Sequence, residues 1–140
     1  MTDDPKAYLR GKFKQYDFLD GFSVCVHLAA NIENLDARNK AGVRAFQDTV
    51  LDYEFAEWVE THPPTKALIW MSSCATDTPD LDSYSHVKLN GERLAKTLAK
   101  QGLPVTILRP YSGYGPDQSE QYPFPAILGR ALRREDPLTV

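Results

Sequence analysis

A tyrosine and a lysine four residues apart, Tyr84 and Lys88, could together perform acid–base chemistry on an alcohol or a ketone. On a helix, positions i and i+4 share a face, so the two side chains would point the same way. A phenol is too weak an acid to serve readily as a base at neutral pH, and a nearby ammonium group favours the phenolate. A tyrosine and a lysine at this spacing usually occur together by chance, so the neighbouring elements decide whether the pair is functional.

Hydroxyl and thiol groups precede this pair at the end of an apolar run. Residues 67–71 read Ala-Leu-Ile-Trp-Met, which is typical of a buried strand, and Ser72, Ser73 and Cys74 follow directly. A hydroxyl at such a strand end can hold a substrate oxygen beside an acid–base group. Ser73 is therefore a candidate for that role.

The elements that must position these groups alternate between strand and helix. The sequence predicts strands over residues 23–28, 67–71 and 104–108, and helices over about 41–60, from Asp82 or Ser83 to 100, and over 124–134. This order is typical of parallel βαβ units joined by right-handed crossovers. We therefore expect an α/β fold, with the carboxyl ends of the three strands facing a ligand crevice.

The amino-acid composition limits the classes of protein and the cellular compartments that are compatible with this chemistry. The chain has 140 residues, 42% hydrophobic and 25% charged, which suits one compact domain, and its net charge of −3 gives no basis for nucleic-acid binding. No apolar stretch is long enough to span a membrane, and the acidic N-terminus does not resemble a signal peptide. Cys25 and Cys74 do not make a disulfide framework, and no histidine has metal-ligand spacing, so we expect a reducing cytoplasm and no metal.

Four motifs follow one another along the chain. They are His27-Leu28-Ala29-Ala30, Met71-Ser72-Ser73-Cys74-Ala75-Thr76, Tyr84 to Lys88, and Leu108-Arg109-Pro110-Tyr111-Ser112-Gly113-Tyr114-Gly115-Pro116. In this order they resemble the extended short-chain dehydrogenase/reductase family, in its NAD-dependent nucleotide-sugar epimerase/dehydratase branch, from about residue 9 to the end. The resemblance implies a partial Rossmann-like doubly wound parallel sheet. It makes residues 1–140 a single partial NAD(P)-binding domain, with the substrate-side region starting at about 111.

The resemblance also implies roles for individual residues. The catalytic positions are Tyr84 as acid/base, Lys88 as its tuning partner, and Ser73 or Cys74 as the group that binds the reacting oxygen. The cofactor-binding positions are Leu28, Ala29, Ala30, Ser72, Tyr84, Lys88, Pro110 and Tyr111, and the substrate-binding positions are Ser73, Ser112 and Tyr114. The implied cofactor is NAD (or NADP). The implied substrate is a nucleotide sugar that passes through a keto intermediate.

Several residues depart from the family pattern. Cys74 stands at the usual catalytic Ser/Thr position, and Ala75-Thr76 stands where a dehydratase carries Asp-Glu, which favours epimerisation over dehydration. No glycine-rich phosphate loop is recognisable, so we expect the chain to represent a central segment that alone binds NAD weakly or not at all. The alternatives are a non-catalytic truncated relic or binding module of the same fold, or half of a split enzyme completed by a separate chain. The partners to test are accordingly a homo-oligomer or a complementing chain.

Other conspicuous side chains favour structural roles. His27 is expected to be a packed core histidine, since the sequence shows no partner for it, and Trp58 and Trp70 are expected to anchor the core. Arg109, at a strand end, is expected to make a structural ion pair rather than a substrate contact. The first strand, rich in valine, is expected to form an open apolar edge.

Overall fold

The computed structural model describes residues 21–30, 46–78, 82–111, 113, 115, 117–120 and 122–135. Its elements are strand β1 (Val24–His27), helix α1 (Gln47–Thr61), strand β2 (Ala67–Met71), a 3₁₀ helix (Cys74–Asp77), helix α2 (Ser83–Lys100), strand β3 (Val105–Leu108) and helix α3 (Pro123–Leu132). The predicted alternation is confirmed, with each strand within one residue of its expected bounds at either end. The predicted start of the first helix, residues 41–45, lies outside the described residues.

The three strands form one parallel sheet in the order β1-β2-β3. In the register of this sheet Val26 lies opposite Ile69, and Ile69 lies opposite Thr106. All three strands therefore end at the same edge of the sheet, as the carboxyl ends of parallel strands do. This edge receives the segments that start at Leu28, Ser72 and Arg109.

The core lies between one face of the sheet and helices α1 and α2. Leu68 and Trp70 alternate along β2 and are buried, as expected for the inward positions of a strand. The core cluster comprises Phe55, Ala56, Val59, Leu68, Trp70, Ala95 and Leu98. The opposite face of β1 leaves Val24 and Val26 about half exposed, at 49% and 47%. Within the described residues β1 is thus an apolar edge strand.

Helix α2 has clear start and stop signals. Asp82 is its N-cap, and Oδ1 of that residue accepts hydrogen bonds from the Ser85 backbone N–H at 2.7 Å and from the Ser85 hydroxyl at 2.8 Å. At the other end Gly102 adopts φ +99°, and the Leu103 N–H donates to the Leu98 carbonyl at 3.2 Å. This C-cap places Leu103 against the core beside Leu98, so α2 is fixed at both ends.

The chain divides into two compact units, residues 1–109 and residues 110–140. The first unit contains the sheet, and the second contains α3, which begins with Pro123 at a position where a missing backbone N–H is harmless. On α3, Phe124, Leu128 and Leu132 are all more than half exposed. Across the described ranges, no helix combines the length and apolar character that crossing a membrane requires.

Candidate functional site

Tyr84 and Lys88 share the first turns of α2, on one side of the helix. The Lys88 Nζ lies 5.7 Å from the centroid of the Tyr84 ring, and it donates to the Met71 carbonyl at 3.4 Å. Met71 is the last residue of β2, so the lysine reaches the carboxyl edge of the sheet. Lys88 is buried, with 9% of its surface exposed, whereas Tyr84 is partly exposed. A desolvated ammonium beside a solvent-accessible phenol suits proton transfer.

The segment after β2 presents Ser73 and Cys74 as the start of a 3₁₀ helix. Ser73 is its N-cap, and the Ser73 Oγ accepts a hydrogen bond from the Ala75 N–H at 3.2 Å. A hydroxyl that accepts in this way keeps its own proton to donate. Cys74 is a partly exposed free thiol at the first position of that helix. Both predicted oxygen-binding residues therefore follow the strand end that Lys88 contacts.

Ser72 differs from its neighbours because its side chain is buried. The Ser72 hydroxyl donates to Glu92 Oε1 at 2.8 Å, and Ser72 is 4% exposed. Its predicted contact with a cofactor remains a prediction, and the hydroxyl has a structural partner in the fold.

Glu92, on α2, is the centre of a network of hydrogen bonds beneath the strand ends. Its carboxylate accepts a forked pair from Arg109, with Nε to Oε1 at 2.6 Å and a terminal nitrogen to Oε2 at 2.7 Å. Lys96 donates to Oε2 at 3.3 Å, and the Thr76 hydroxyl lies 3.3 Å from Oε1. Arg109 also pairs with Asp77 at 2.8 Å. The expected structural ion pair of Arg109 is thus confirmed.

Glu92 is 1% exposed, yet it is held in its charged form. The hydrogen bond from Arg109 is the largest cause that lowers the pKa of this carboxyl from its ordinary value of 4.5 to about 2. Burial opposes the shift, and the bonds from Ser72 and Lys96 reinforce it. A buried carboxylate with this many donors is a stable anchor at neutral pH.

The segment after β1 is the other side of the predicted crevice. Leu28 is 63% exposed, and Ala29 and Ala30 are partly exposed. Small side chains at this position allow a ligand to approach the backbone closely. The predicted cofactor-binding residues of this motif are therefore accessible at the carboxyl edge of the sheet.

His27, the last residue of β1, is a core residue as expected, but it has a partner that the sequence did not reveal. The His27 Nε2 lies 2.7 Å from Asp52 Oδ1, and both residues are buried. The imidazole ring stacks on Phe55 at 4.0 Å between centroids and meets Trp70 edge-on at 4.6 Å. The pair joins the end of β1 to α1, immediately before the accessible Leu28.

Four predicted site residues lie beyond Arg109. Pro110 and Tyr111 are exposed, Tyr111 by 76%, and they belong to the second unit. Ser112 and Tyr114 lie outside the described residues, so their predicted substrate contacts stay predictions. Within the described segments, no group of three or more His, Cys, Asp or Glu side chains is placed to hold a metal ion.

The described residues supply a donor suited to the ribose of the implied dinucleotide, and none of them forms a recognisable phosphate site. The accessible Ala29 and Ala30 and the ammonium of Lys88 all follow or contact strand ends at one edge of the sheet. An ammonium there can donate to ribose hydroxyls. The sequence holds no Gly-rich strand-to-helix turn of the kind that binds a pyrophosphate.

Sequence reasoning missed Glu92, Thr76 and Asp52. The available signal for Glu92 was its spacing, four residues after Lys88 on the same helix face. Asp52 stands in the buried stripe of α1 beside Leu51, Phe55 and Ala56, where a carboxylate requires a partner. In both cases the partner lies far away in sequence, on a strand or just after one.

Comparisons with known proteins identify the family of the chain and solved structures with a similar fold. The sequence matches the NAD dependent epimerase/dehydratase family over residues 9–140. Among solved structures, the chain is similar to Pal from Bacillus thuringiensis, with 25% identity and a TM-score of 0.62 over 78% of this chain. It shares its fold with a thiolation-reductase di-domain from an archaeal non-ribosomal peptide synthetase, with 15% identity and a TM-score of 0.51 over 71% of this chain.

The matched regions cover most of this chain but less than half of each solved structure. The chain spans 40% of the Pal chain and 32% of the di-domain chain. No curated protein matches the sequence. The family match covers nearly all of the chain and includes every motif at the strand ends. The chain belongs to the NAD dependent epimerase/dehydratase family.

Proposed function

We propose that the chain carries the catalytic acid–base pair of an NAD(P)-dependent epimerase or oxidoreductase that acts on a nucleotide sugar. The observation that carries the proposal is the arrangement of Tyr84 and Lys88, with the ammonium 5.7 Å from the phenol ring and in contact with the end of β2. Family membership supports the nicotinamide cofactor. NAD and NADP are equally compatible with the described residues.

In this proposal each residue of the chain has a distinct task. Tyr84 takes the proton from a sugar hydroxyl and returns it at the end of the cycle, and Lys88 favours the phenolate and holds a ribose hydroxyl. Ser73 donates a hydrogen bond to the reacting oxygen, because its Oγ accepts from Ala75 and retains its proton. A bound nicotinamide supplies a hydride acceptor, so that a sugar alcohol becomes a transient ketone.

The type of reaction is proposed from the residues after Cys74. Ala75 and Thr76 carry no carboxylate, and the Thr76 hydroxyl is directed toward the Ser73 carbonyl at 2.9 Å and toward Glu92. Elimination of water from a keto sugar requires an additional acid and base near the ketone. We therefore favour epimerisation or simple oxidation and reduction over dehydration, in the reducing compartment that the two free cysteines suit.

The proposal is tested by incubating the folded chain with NAD and, separately, NADP, each with a set of nucleotide sugars. The readouts are absorbance of the reduced nicotinamide and chromatography of the sugar products. We expect a new epimer or a keto sugar with at least one substrate, and no product with Tyr84→Phe. Equal product from the wild type and from Tyr84→Phe would exclude Tyr84 as the acid/base.

A second candidate function is a non-catalytic binding module of the same fold. The observation that favours it is Cys74, since a thiol is a weaker hydrogen-bond donor than the Ser or Thr hydroxyl that it replaces. Cofactor binding with no turnover by either the wild type or Cys74→Ser would support this candidate. Turnover restored by Cys74→Ser would instead identify the thiol as the cause of low activity.

A further inference from the structure

We propose that Glu92, Arg109 and Asp77 act as positioning residues that hold the Ser73–Cys74 segment against the Tyr84–Lys88 face of α2. None of the three was assigned a role in the chemistry above. The inference rests on the proposed function, since it concerns the alignment of the oxygen-binding segment with the acid–base pair.

The Arg109 side chain connects three elements of the fold. Arg109 follows β3, its fork binds Glu92 on α2, and its remaining terminal nitrogen binds Asp77 at the end of the 3₁₀ helix. Both acceptors are carboxylates, so these hydrogen bonds are charge-assisted. A planar guanidinium with both edges engaged fixes the relative orientation of its partners, which a lysine at the same position does not do.

The Ser73–Cys74 segment is flanked on both sides by residues that bind Glu92. Ser72, just before the segment, donates to Glu92 Oε1 at 2.8 Å, and Thr76 within it approaches the same oxygen at 3.3 Å. The Thr76 hydroxyl also lies 2.9 Å from the Ser73 carbonyl. Ser73 and Cys74 therefore lie between two points that are tied to one buried carboxylate.

Glu92 lies on the same helix, α2, as Tyr84 and Lys88. Glu92 lies one turn after Lys88, which lies one turn after Tyr84, so the carboxylate and the catalytic pair belong to one rigid helix. Glu92 is 1% exposed and cannot move without opening the structure. Anchoring the segment to Glu92 consequently fixes it relative to Tyr84. Misplacement of a reacting group by a small distance can greatly slow a reaction.

The two native cysteines provide an internal test. Cys74 lies in the anchored segment, and Cys25 lies in β1 against the core cluster, where burial raises the pKa of its thiol. Alkylation rates of both thiols, measured by mass spectrometry on the same sample, separate local release of the segment from general opening of the fold. The wild-type chain serves as the reference for the ratio of the two rates.

We expect Arg109→Met to raise the Cys74 alkylation rate by about tenfold and leave the Cys25 rate unchanged, as loss of a charge-assisted pair implies. Asp77→Ala, at a half-exposed site, should raise the Cys74 rate by about threefold. Arg93→Met is the matched control, because that arginine lies on α2 and donates to Asn90 instead. Lys96→Met is a second control, since it removes only an exposed donor to Glu92.

Turnover supplies the readout that a purely structural role would not change. With the substrate identified as above, Asp77→Ala and Arg109→Met should lower kcat by about tenfold or more while the KM for the cofactor stays within about twofold. Unchanged Cys74 reactivity, parallel changes at both cysteines, or equal losses in kcat and cofactor affinity would overturn the inference. A wild-type chain with no cofactor binding would instead overturn the proposed function, and the alkylation ratio would still report on the geometry.

Discussion

At the scale of single residues, Tyr84 and Lys88 are positioned by different contacts although they lie on one helix. Tyr84 is in the first turn, directly after the Asp82 cap, and Lys88 reaches across to the end of β2. The lysine is therefore fixed by the sheet, whereas the phenol keeps access to solvent. This division suits a pair in which one member is an electrostatic support and the other exchanges protons.

Tyr84→Phe should remove turnover without unfolding the chain. The substitution deletes one hydroxyl on a partly exposed side chain, so the melting temperature should stay close to that of the wild type. The rate should fall by roughly 10²–10⁴-fold, which is the usual contribution of a positioned acid/base. Steady-state kinetics together with circular dichroism melting would check both parts, and a retained rate would contradict the assignment.

Cys74→Ser should increase turnover. A hydroxyl donates a stronger hydrogen bond than a thiol to a developing oxyanion, and at a partly exposed position the smaller side chain can be accommodated. A gain of about threefold to tenfold in kcat/KM is expected, consistent with one improved hydrogen bond. Cys25→Ser, in the core-facing part of β1, is the comparison that should give no gain. A decrease with Cys74→Ser would assign the thiol a role of its own.

At the scale of elements, α2 packs closely on α1 because Gly91 has no side chain. A Cβ at this position would lie 2.6 Å from Asp52 Oδ2 and 3.1 Å from Trp70 Nε1. Asp52 cannot easily retreat, because it is buried and bound to His27. The close contact at Gly91 therefore positions both α2, which carries the proposed acid–base pair, and the end of β1.

Gly91→Ala should destabilise the chain, although alanine is the better helix former. The propensity gain is at most about 1 kcal/mol, whereas overpacking a buried contact costs about 1–3 kcal/mol. Gly129→Ala on α3 is a matched control, since its Cβ would meet a Glu120 carboxylate oxygen at the same 2.6 Å. Glu120 is 58% exposed and its ion pair with Arg133 lies at the surface, so both side chains can shift and this variant should be close to neutral in urea unfolding. Equal effects of both substitutions would refute the packing argument.

Local sequence patterns predicted the strands and helices well, but they did not predict contacts between residues that are distant in sequence. Valine-rich and apolar runs located β1 and β2, and Asp82 was one of the two expected starts of α2, because these signals depend on neighbouring residues. The Glu92–Arg109 contact spans 17 positions and depends on the sheet register, which no local pattern encodes.

The exposure of helix faces was also only partly predictable. Val50 is an apolar residue of α1, yet it is 58% exposed, whereas Asp48 and Asp52 on the same helix are buried. A polar side chain replaces an apolar one inside the fold when a partner is available, and for Asp52 that partner is His27 on another element. The periodicity of apolar residues in the sequence does not show which polar residues of α1 are buried.

At the scale of the whole molecule, the ion-pair network makes stability depend on pH. The pKa of Glu92 is lowered in the folded chain to about 2, from an ordinary value of 4.5 that applies when the chain is unfolded. The unfolded chain therefore takes up the proton first as the pH falls. The contribution of Glu92 is complete above pH 4.5 and is lost progressively between pH 4.5 and pH 2.

The loss over this interval should approach about 3 kcal/mol, an order-of-magnitude value from the size of the shift. Urea unfolding at a series of pH values would measure it. The Glu92→Gln variant has no carboxyl to titrate at this position, so the difference in unfolding free energy between wild type and variant should shrink as the pH falls through the interval. A difference that does not depend on pH would show that Arg109 does not hold the carboxyl in its charged form.

The carboxyl edge of this sheet is proposed to bind the nicotinamide end of a cofactor beside Lys88. The most direct measurement is saturation-transfer NMR of NAD with the folded chain, which detects weak binding. We expect a dissociation constant of about millimolar order, because the sequence shows no recognisable phosphate-binding turn, with transfer strongest at the nicotinamide and its ribose. Transfer should be lost in Lys88→Met and retained in the control Lys96→Met. No transfer to the wild type, or equal transfer to both variants, would contradict binding of the cofactor beside Lys88.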